Sequence, residues 1–210
     1  MIMNMRLSIL FGLFIGLLVG MNLLGVKIVT LLGVSVSVGI FMMPLTFLIT
    51  DIVEEVHGKN VTKQFVITGI LVLLVTFLFT ASFVSLAPHE RFALNNDAYT
   101  TIFGASIRIM LASLIAFTIS QAHDMWAFNF WKKKTNGKFL WLRNNFSTYI
   151  SQAIDTFIFM MIAFYMETPR FDFAFIISLS IPYYLFKIVF ATLDTPLVYL
   201  GVWWLKKAEK

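Results

Sequence analysis

The stretch "LSILFGLFIGLLVGMNLLGV" at residues 7–26 decides the fold class. It contains no charged side chain, and about 20 apolar residues in a helix are enough to cross the hydrocarbon core of a bilayer. Arg6 before it gives the outline of a signal peptide, but no small-x-small cleavage site follows the apolar run. We therefore predict that this stretch is the first membrane span of the protein.

The composition extends this prediction to the whole chain. Of its 210 residues, 59% are hydrophobic and 13% are charged, and the mean hydropathy is +0.85. Soluble domains carry about 25% charged residues. Because hydrocarbon offers the backbone no hydrogen-bonding partner, the spans must be helices. We predict an all-α polytopic membrane protein that forms one transmembrane domain over residues 1–210.

The apolar runs predict six transmembrane helices, separated by short polar segments. Pro182 and Pro196 predict a kink in the last span, or a start outside the bilayer. The Pro, Asn and Asp content of residues 87–103 is typical of an exposed loop. The predicted spans are about 6–27, 34–52, 62–86, 104–125, 145–166 and 173–205.

The positive charges predict the orientation. With six spans, eleven of the 16 Lys and Arg residues lie on the side of the two termini, four on the opposite side, and Lys187 inside the last span. Loops rich in Lys and Arg stay in the cytoplasm, so we predict that both termini are cytoplasmic. The net charge of +5 is explained by this asymmetry, which indicates a lipid bilayer and no nucleic acid as partner.

One face of the first span carries only glycines at successive turns. Gly12, Gly16 and Gly20 follow i, i+4, i+8 spacing. Such a smooth face lets another helix approach closely. We expect it to pack against a helix of the same chain rather than to form a dimer contact.

Polar residues recur inside the apolar spans. The segment "YISQAIDTFIF" at 149–159 contains "SQAID", and a near copy, "SQAHD", lies at 120–124. An aspartate at mid-span costs roughly 2.5–3.5 kcal/mol on insertion scales, so Asp155 requires an internal partner or a wet cavity. Lys187 is the one cation deep in a predicted span, and we expect it to neutralise Asp155 or another buried carboxylate.

Four spans contribute polar groups to the predicted site. Carboxylates accept hydrogen bonds from N–H groups, and carboxamides both donate and accept, so this set suits a planar, nitrogen-rich solute. Headgroup-level positions for Asp51 and Asp124, and a purely structural Asp155–Lys187 bridge, are the alternatives. The predicted substrate-binding residues are Asp51, Glu55, Gln121, Asp124, Asn145, Gln152, Asp155 and Lys187.

Other function classes find less support in the sequence. There is no GxxxxGK[ST] loop for ATP hydrolysis and no tight histidine spacing for a metal, and zero cysteines exclude thiol chemistry. An intramembrane aspartyl enzyme built on Asp124 and Asp155 is the main rival, although neither residue lies in a GxGD context. We therefore expect no catalytic residues, no cofactor and no metal, and a transporter rather than an enzyme.

Two long motifs resemble a known family. "PLTFLITDIVEEVHGK" at 44–59 resembles the P-L-T-[FY]-x-x-x-D-I-[IV]-x-E-V-Y-G segment of the queuosine precursor transporters, also called the vitamin uptake transporter family. "WLRNNFSTYISQAIDTFIF" at 141–159 is similar to their W-x-R-x-x-x-S-T-x-x-[SG]-Q-x-x-D-T-x-[IV]-F segment. The resemblance implies uptake of 7-cyano-7-deazaguanine or a related 7-deazaguanine. It also implies a six-helix fold similar to the substrate-binding components of energy-coupling-factor vitamin transporters.

For a substrate of this class, we assign expected roles to individual residues of the chain. Gln152 and Asp155 would read the pyrimidine-like edge of the base, and Lys187 would keep a carboxylate charged or bind the nitrile. The motif departs from the family at His57, where Tyr is usual, and at Glu54, where Asn is common. We expect Glu54 to face water beside Lys59, and Arg143 and Trp141 to act as topology and interface anchors. A homo-oligomer, an energising ATPase partner and another vitamin-like substrate stay open.

Overall fold

The computed structural model describes residues 5–31, 34–165 and 172–207, and most of these are helical. Among them, α1, α3, α4, α5 and α6 are long and apolar enough to cross a membrane. This confirms the predicted all-α, multi-pass membrane architecture. The elements are α1 (Met5–Leu24), β1 (Ile28–Leu31), β2 (Val34–Ser37), a 3-10 turn (Val38–Phe41), α2 (Met43–His57), α3 (Lys59–Ser85), a 3-10 turn (Glu90–Phe92), α4 (Ala93–Lys134), α5 (Leu140–Phe164), α6 (Phe173–Leu193) and α7 (Thr195–Lys206).

The predicted second span, 34–52, is wrong in its first part. Residues 34–37 form β2, which pairs antiparallel with β1 so that Ile28 lies opposite Ser37 and Leu31 opposite Val34. Alternating valines and serines favour a strand over a helix, because β-branched side chains suit the pleated backbone. The helix α2 begins only at Met43, and its 15 residues extend about 22 Å, less than the hydrocarbon core of a bilayer.

The predicted exposed loop at 87–103 is also wrong over most of its length. The helix α4 begins at Ala93 and continues for 42 residues, about 63 Å, so it extends beyond the bilayer core. Asn95 and Asp97 are exposed within its first turns. Their side chains point to solvent, where they do not compete for the backbone hydrogen bonds of the helix.

The predicted sixth span is divided into two helices. Pro182 lies inside α6 without ending it, and the break comes at Asp194, two residues before Pro196 in the first turn of α7. The far end of α7 meets the start of α1, where the Arg6 guanidinium donates to the Trp204 carbonyl and lies 5.1 Å from its ring centroid. We call this the basal end of the bundle. Arg170 and Lys210, used in the charge prediction, lie outside the described residues.

Apolar side chains form both the core and the outer surface. Phe14 and Leu18 of α1 are fully buried and pack with Phe65 of α3 and Phe117 of α4. Large apolar side chains on the outward faces of the long helices are exposed, among them Leu71 of α3. A continuous exposed apolar surface of this kind is the expected contact with lipid.

The antiparallel strands β1 and β2 form a hairpin that packs closely against the end of α1, and glycines occupy two positions of this contact, Gly25 and Gly39. A Cβ at Gly25 would lie 2.2 Å from the Met21 carbonyl oxygen, and one at Gly39 would lie 2.9 Å from the same atom. Around Gly12 and Gly16, no described atom lies within 4 Å of the corresponding position. The expected internal packing of the α1 glycine face is therefore wrong for these two residues.

Alanine substitution at Gly25 is expected to lower the free energy of unfolding by about 1–3 kcal/mol, because the added methyl must displace backbone. Gly12→Ala is the matched control, and we expect it to be neutral or to stabilise α1 by up to about 1 kcal/mol. Thermal unfolding of both variants in detergent checks the prediction. Equal unfolding temperatures for the two variants would contradict the close approach at Gly25.

Candidate functional site

One face of α5 carries a continuous row of buried polar side chains. The helix contains no proline or glycine from residue 140 to residue 164, so its turns repeat this face without a break. From Arg143 to Asp155 the row extends about 18 Å along the helix axis. We call this row, with the side chains that contact it, the polar column. Its α5 members are Arg143, Asn144, Asn145, Ser147, Thr148, Ser151, Gln152, Asp155 and Thr156.

A buried ion pair forms the part of the column nearest the hairpin. Lys187 Nζ lies 2.9 Å from Asp155 Oδ2, and each residue is 3% exposed. Ser120 Oγ of α4 donates to Asp155 Oδ1 at 3.3 Å. The predicted counter-ion of Asp155 is thus confirmed. Without Lys187, this carboxylate would be a buried charge with no cation to neutralise it.

A cavity lies beside this ion pair. Asp155 and Lys187 line it together with the aromatic rings of Phe117, Phe159 and Tyr183. It offers about 60 Å³ to the centres of water molecules, and a single water needs roughly 10–15 Å³. The Ser37 N–H donates to Tyr183 Oη at 2.7 Å, so the hairpin closes the cavity on this side. The cavity therefore combines aromatic walls with one buried ion pair.

The two SQA motifs lie against each other in the middle of the column. Ser120 contacts Asp155, and His123 Nδ1 lies 2.9 Å from Ser151 Oγ, which fixes α4 and α5 in an antiparallel register. The repeated sequence thus places its amides and carboxylates on facing turns of two helices.

Several of these facing groups are buried without a partner. Within the described part of the chain, both amide atoms of Gln121, Asp124 Oδ1 and Gln152 Oε1 make no hydrogen bond. All three residues are at most 1% exposed. A buried unsatisfied polar group costs about 1–3 kcal/mol, and native proteins contain few. None of the three lines the cavity beside Asp155 and Lys187, so a ligand that used these donors and acceptors would require this part of the bundle to open.

The α2 helix adds a second carboxylate, that of Asp51, to the middle of the column. Thr148 Oγ1 of α5 donates to Asp51 Oδ2 at 3.4 Å. Asp51 is 3% exposed and Asp124 is 1% exposed. The alternative that these two carboxylates meet water at the headgroup level is therefore wrong.

A second ion cluster lies farther along the column, where the α2–α3 and α4–α5 turns meet. Arg143 Nη1 lies 2.8 Å from Glu55 Oε2, and Lys132 Nζ lies 3.0 Å from the same oxygen. Arg143 is 1% exposed, so its predicted role as an interface anchor is wrong, whereas Trp141 is exposed as expected. The predicted site residue Glu55 is thus held by two bases.

Two further predictions in this region are resolved by hydrogen bonds. Glu54 does not face water: it is 2% exposed and accepts a hydrogen bond from Asn129. Sequence reasoning missed Asn129, although it is the lone polar residue in the aromatic segment "WAFNFW" at 126–131. Asn145 donates to Thr195 Oγ1 at 3.0 Å, a hydrogen bond that links α5 to α7. Asn145 therefore does not lie with Gln152 in the middle of the column.

Long apolar helices that surround a column of buried polar and charged side chains are typical of multi-pass membrane proteins with a functional site inside the bilayer. The family described as "Putative vitamin uptake transporter" matches residues 37–201. The chain belongs to this vitamin uptake transporter family, which confirms the resemblance seen in the two motifs.

The comparisons also give a relative. A protein of Bacillus subtilis (strain 168), described as "Probable queuosine precursor transporter", is 36% identical over 144 residues. The matched region covers 68% of this chain and 62% of the relative. The chain thus matches less than two thirds of the relative's own length. No solved structure matches the chain.

Proposed function

We propose that this protein imports a queuosine precursor, 7-cyano-7-deazaguanine or a related 7-deazaguanine, across the cell membrane. The observation that carries the proposal is the set of buried, unpartnered amide and carboxylate atoms on Gln121, Asp124 and Gln152. The description of the Bacillus subtilis relative supports the same class of substrate.

The chemistry of the base suits this set of side chains. Its pyrimidine-like edge carries ring and amino N–H donors beside a carbonyl acceptor. A carboxylate accepts hydrogen bonds from these donors, and a carboxamide both donates and accepts hydrogen bonds. In the proposed complex, Gln152 and Asp155 form hydrogen bonds with this edge, and Lys187 donates a hydrogen bond to the nitrile nitrogen. The rings of Phe117 and Phe159, which line the cavity, stack on the base.

The remaining predicted site residues lie at two different heights along the polar column. Asp51, Gln121 and Asp124 complete the polar lining in the middle. Glu55 and Asn145 lie near the start of α5, where the proposed solute would meet them on its way out. The Glu55–Arg143 bridge would have to open for the solute to pass.

The proposed topology has six crossings, with both chain ends in the cytoplasm and a single domain over residues 1–210. The hairpin, the first 3-10 turn and α2 together make the second crossing, and α6 with α7 makes the sixth. The meeting of Arg6 with Trp204 supports the placement of both ends on one side. The lysines of the α4–α5 turn support a cytoplasmic basal end.

A second candidate is a substrate-binding component for another vitamin-like heterocycle that works with an ATPase partner. The description of the matching family favours it, and the aromatic cavity walls suit flat solutes in general. The aspartyl-enzyme alternative is weakened because Asp155 is paired with Lys187, whereas such enzymes share one proton between two carboxyl groups.

Uptake in cells that cannot make the base tests the proposal. We expect cells that express the protein to accumulate supplied 7-cyano-7-deazaguanine, measured by mass spectrometry, above cells with an empty vector. Riboflavin uptake in the same cells serves as the comparison for the second candidate. No gain in 7-deazaguanine uptake at normal membrane levels of the protein would contradict the proposal.

A further inference from the structure

The ion cluster around Glu55 lies where the polar column meets the basal end of the bundle. Arg143 Nη1 and Nη2 lie 2.8 Å and 3.4 Å from the two carboxylate oxygens of Glu55, and Lys132 Nζ lies 3.0 Å from Glu55 Oε2. We call these three side chains the basal cluster. Because they come from α5, α2 and α4, the cluster joins three helices through opposite charges.

The basal cluster has a dry inner side and a hydrated outer side. The Arg143 side chain is 1% exposed, that of Glu55 is 13% exposed and that of Lys132 is 32% exposed. The guanidinium is also held by the Gly137 carbonyl, to which Nη2 donates at 3.1 Å, and by the Phe128 ring, whose centroid lies 5.3 Å away. The inner side therefore continues the polar column, and the outer side reaches the solvent at the basal end.

A buried ion pair differs from an apolar contact in the free energy that opening requires. Two charges that pair in a dry site must both lose their water, and this cost offsets much of the attraction between them. When the helices separate and water enters, both charges regain their hydration. Opening an apolar contact instead exposes hydrocarbon surface to water, which is unfavourable. An ion pair is thus suited to a contact that closes and opens repeatedly.

We infer that the basal cluster is a gate, closed in this structure, that opens to release the transported base toward the basal end. The inference rests on the proposed function, which supplies the identity of the solute. The first buried position behind the gate is Ser147, one turn after Arg143 on the same face of α5. When Glu55 separates from Arg143, this position becomes open to the basal side.

A single introduced thiol reports the state of the gate, because the chain contains no cysteine. Ser147→Cys places the thiol in the column, at a position that is 0% exposed. A membrane-impermeant maleimide is added to one side of membrane vesicles at a time, and labelling is followed by mass spectrometry. Lys63→Cys and Asp97→Cys, at exposed positions near the starts of α3 and α4, identify the basal side and the opposite side.

Glu55→Gln, added to the Ser147→Cys protein, should raise the rate of labelling from the basal side and leave the rate from the opposite side unchanged. We expect a rise of about tenfold or more, which corresponds to a loss of about 1.4 kcal/mol from the closed arrangement. Lys132→Gln removes the more exposed of the two bases and should give a smaller rise from the same side. Lys63→Gln is the matched control, because it removes an exposed lysine at the same end, and its rate should equal that of Ser147→Cys alone.

An unchanged rate from the basal side in Glu55→Gln would overturn the inference. Rates raised equally from both sides would also overturn it, because they would mean a general loosening of the fold. If Glu55→Gln does not fold, Lys132→Gln decides by the same two criteria. Counterflow exchange of labelled 7-cyano-7-deazaguanine in liposomes tests the proposed function separately. Absence of exchange by the wild-type protein would count against that function, whereas the labelling rates decide whether the cluster is a gate.

Discussion

Asp155→Ala is expected to abolish uptake and to lower the free energy of unfolding by about 3–5 kcal/mol. The stability loss follows because the variant leaves the Lys187 ammonium buried and without its carboxylate partner. The loss of uptake follows from the proposed contact between Asp155 and the N–H groups of the base. Uptake in cells and unfolding of the purified protein in detergent measure the two effects.

A double variant separates stability from function. Asp155→Leu with Lys187→Met removes both charges, and replacing a buried ion pair by apolar side chains of similar volume is often neutral or stabilising. We therefore expect stability near that of the wild type, with uptake still lost. Restored uptake in the double variant would show that the pair serves only the fold.

Gln121→Leu is expected to have opposite effects on stability and on binding. The Gln121 carboxamide is fully buried and has no hydrogen-bond partner among the described residues, so an apolar side chain of similar size should leave stability equal or higher. The affinity for the base should fall by about 5- to 150-fold, the equivalent of 1–3 kcal/mol for a bidentate contact. Thermal unfolding and titration calorimetry on the same preparation measure both.

Ile119→Leu is the matched control for this substitution, because Ile119 is 46% exposed on the same helix. Its stability and its affinity should both equal those of the wild type. A strongly destabilised Gln121→Leu variant with normal affinity would mean that the carboxamide serves packing, and would remove it from the proposed site.

The polar column could be predicted from the sequence because its members are costly in lipid. A carboxylate at mid-span requires a partner, and Lys187 is the one cation in a predicted span, so the sequence predicts that it neutralises Asp155 or another buried carboxylate. The structure shows that the partner is Asp155. The repeated SQA motif likewise predicted amides and acids on two helices.

Other features depend on partners distant in sequence. Arg143 was expected at the interface, because nothing near it in the sequence indicates Glu55, 88 residues away, as its partner. The hairpin at 28–37 lies in a segment apolar enough to continue a helix, and its return depends on the close approach of Gly25 and Gly39. Local composition carries no information about such contacts.

Equilibrium binding to the purified protein tests the central claim most directly. Titration with 7-cyano-7-deazaguanine, its aminomethyl analogue, queuine and riboflavin should show saturable binding of at least one deazaguanine, weaker binding of riboflavin, and loss of affinity in Gln152→Leu. If no deazaguanine binds, or if Gln152→Leu binds as tightly as the wild type, the buried amides and acids of α4 and α5 do not form the substrate site.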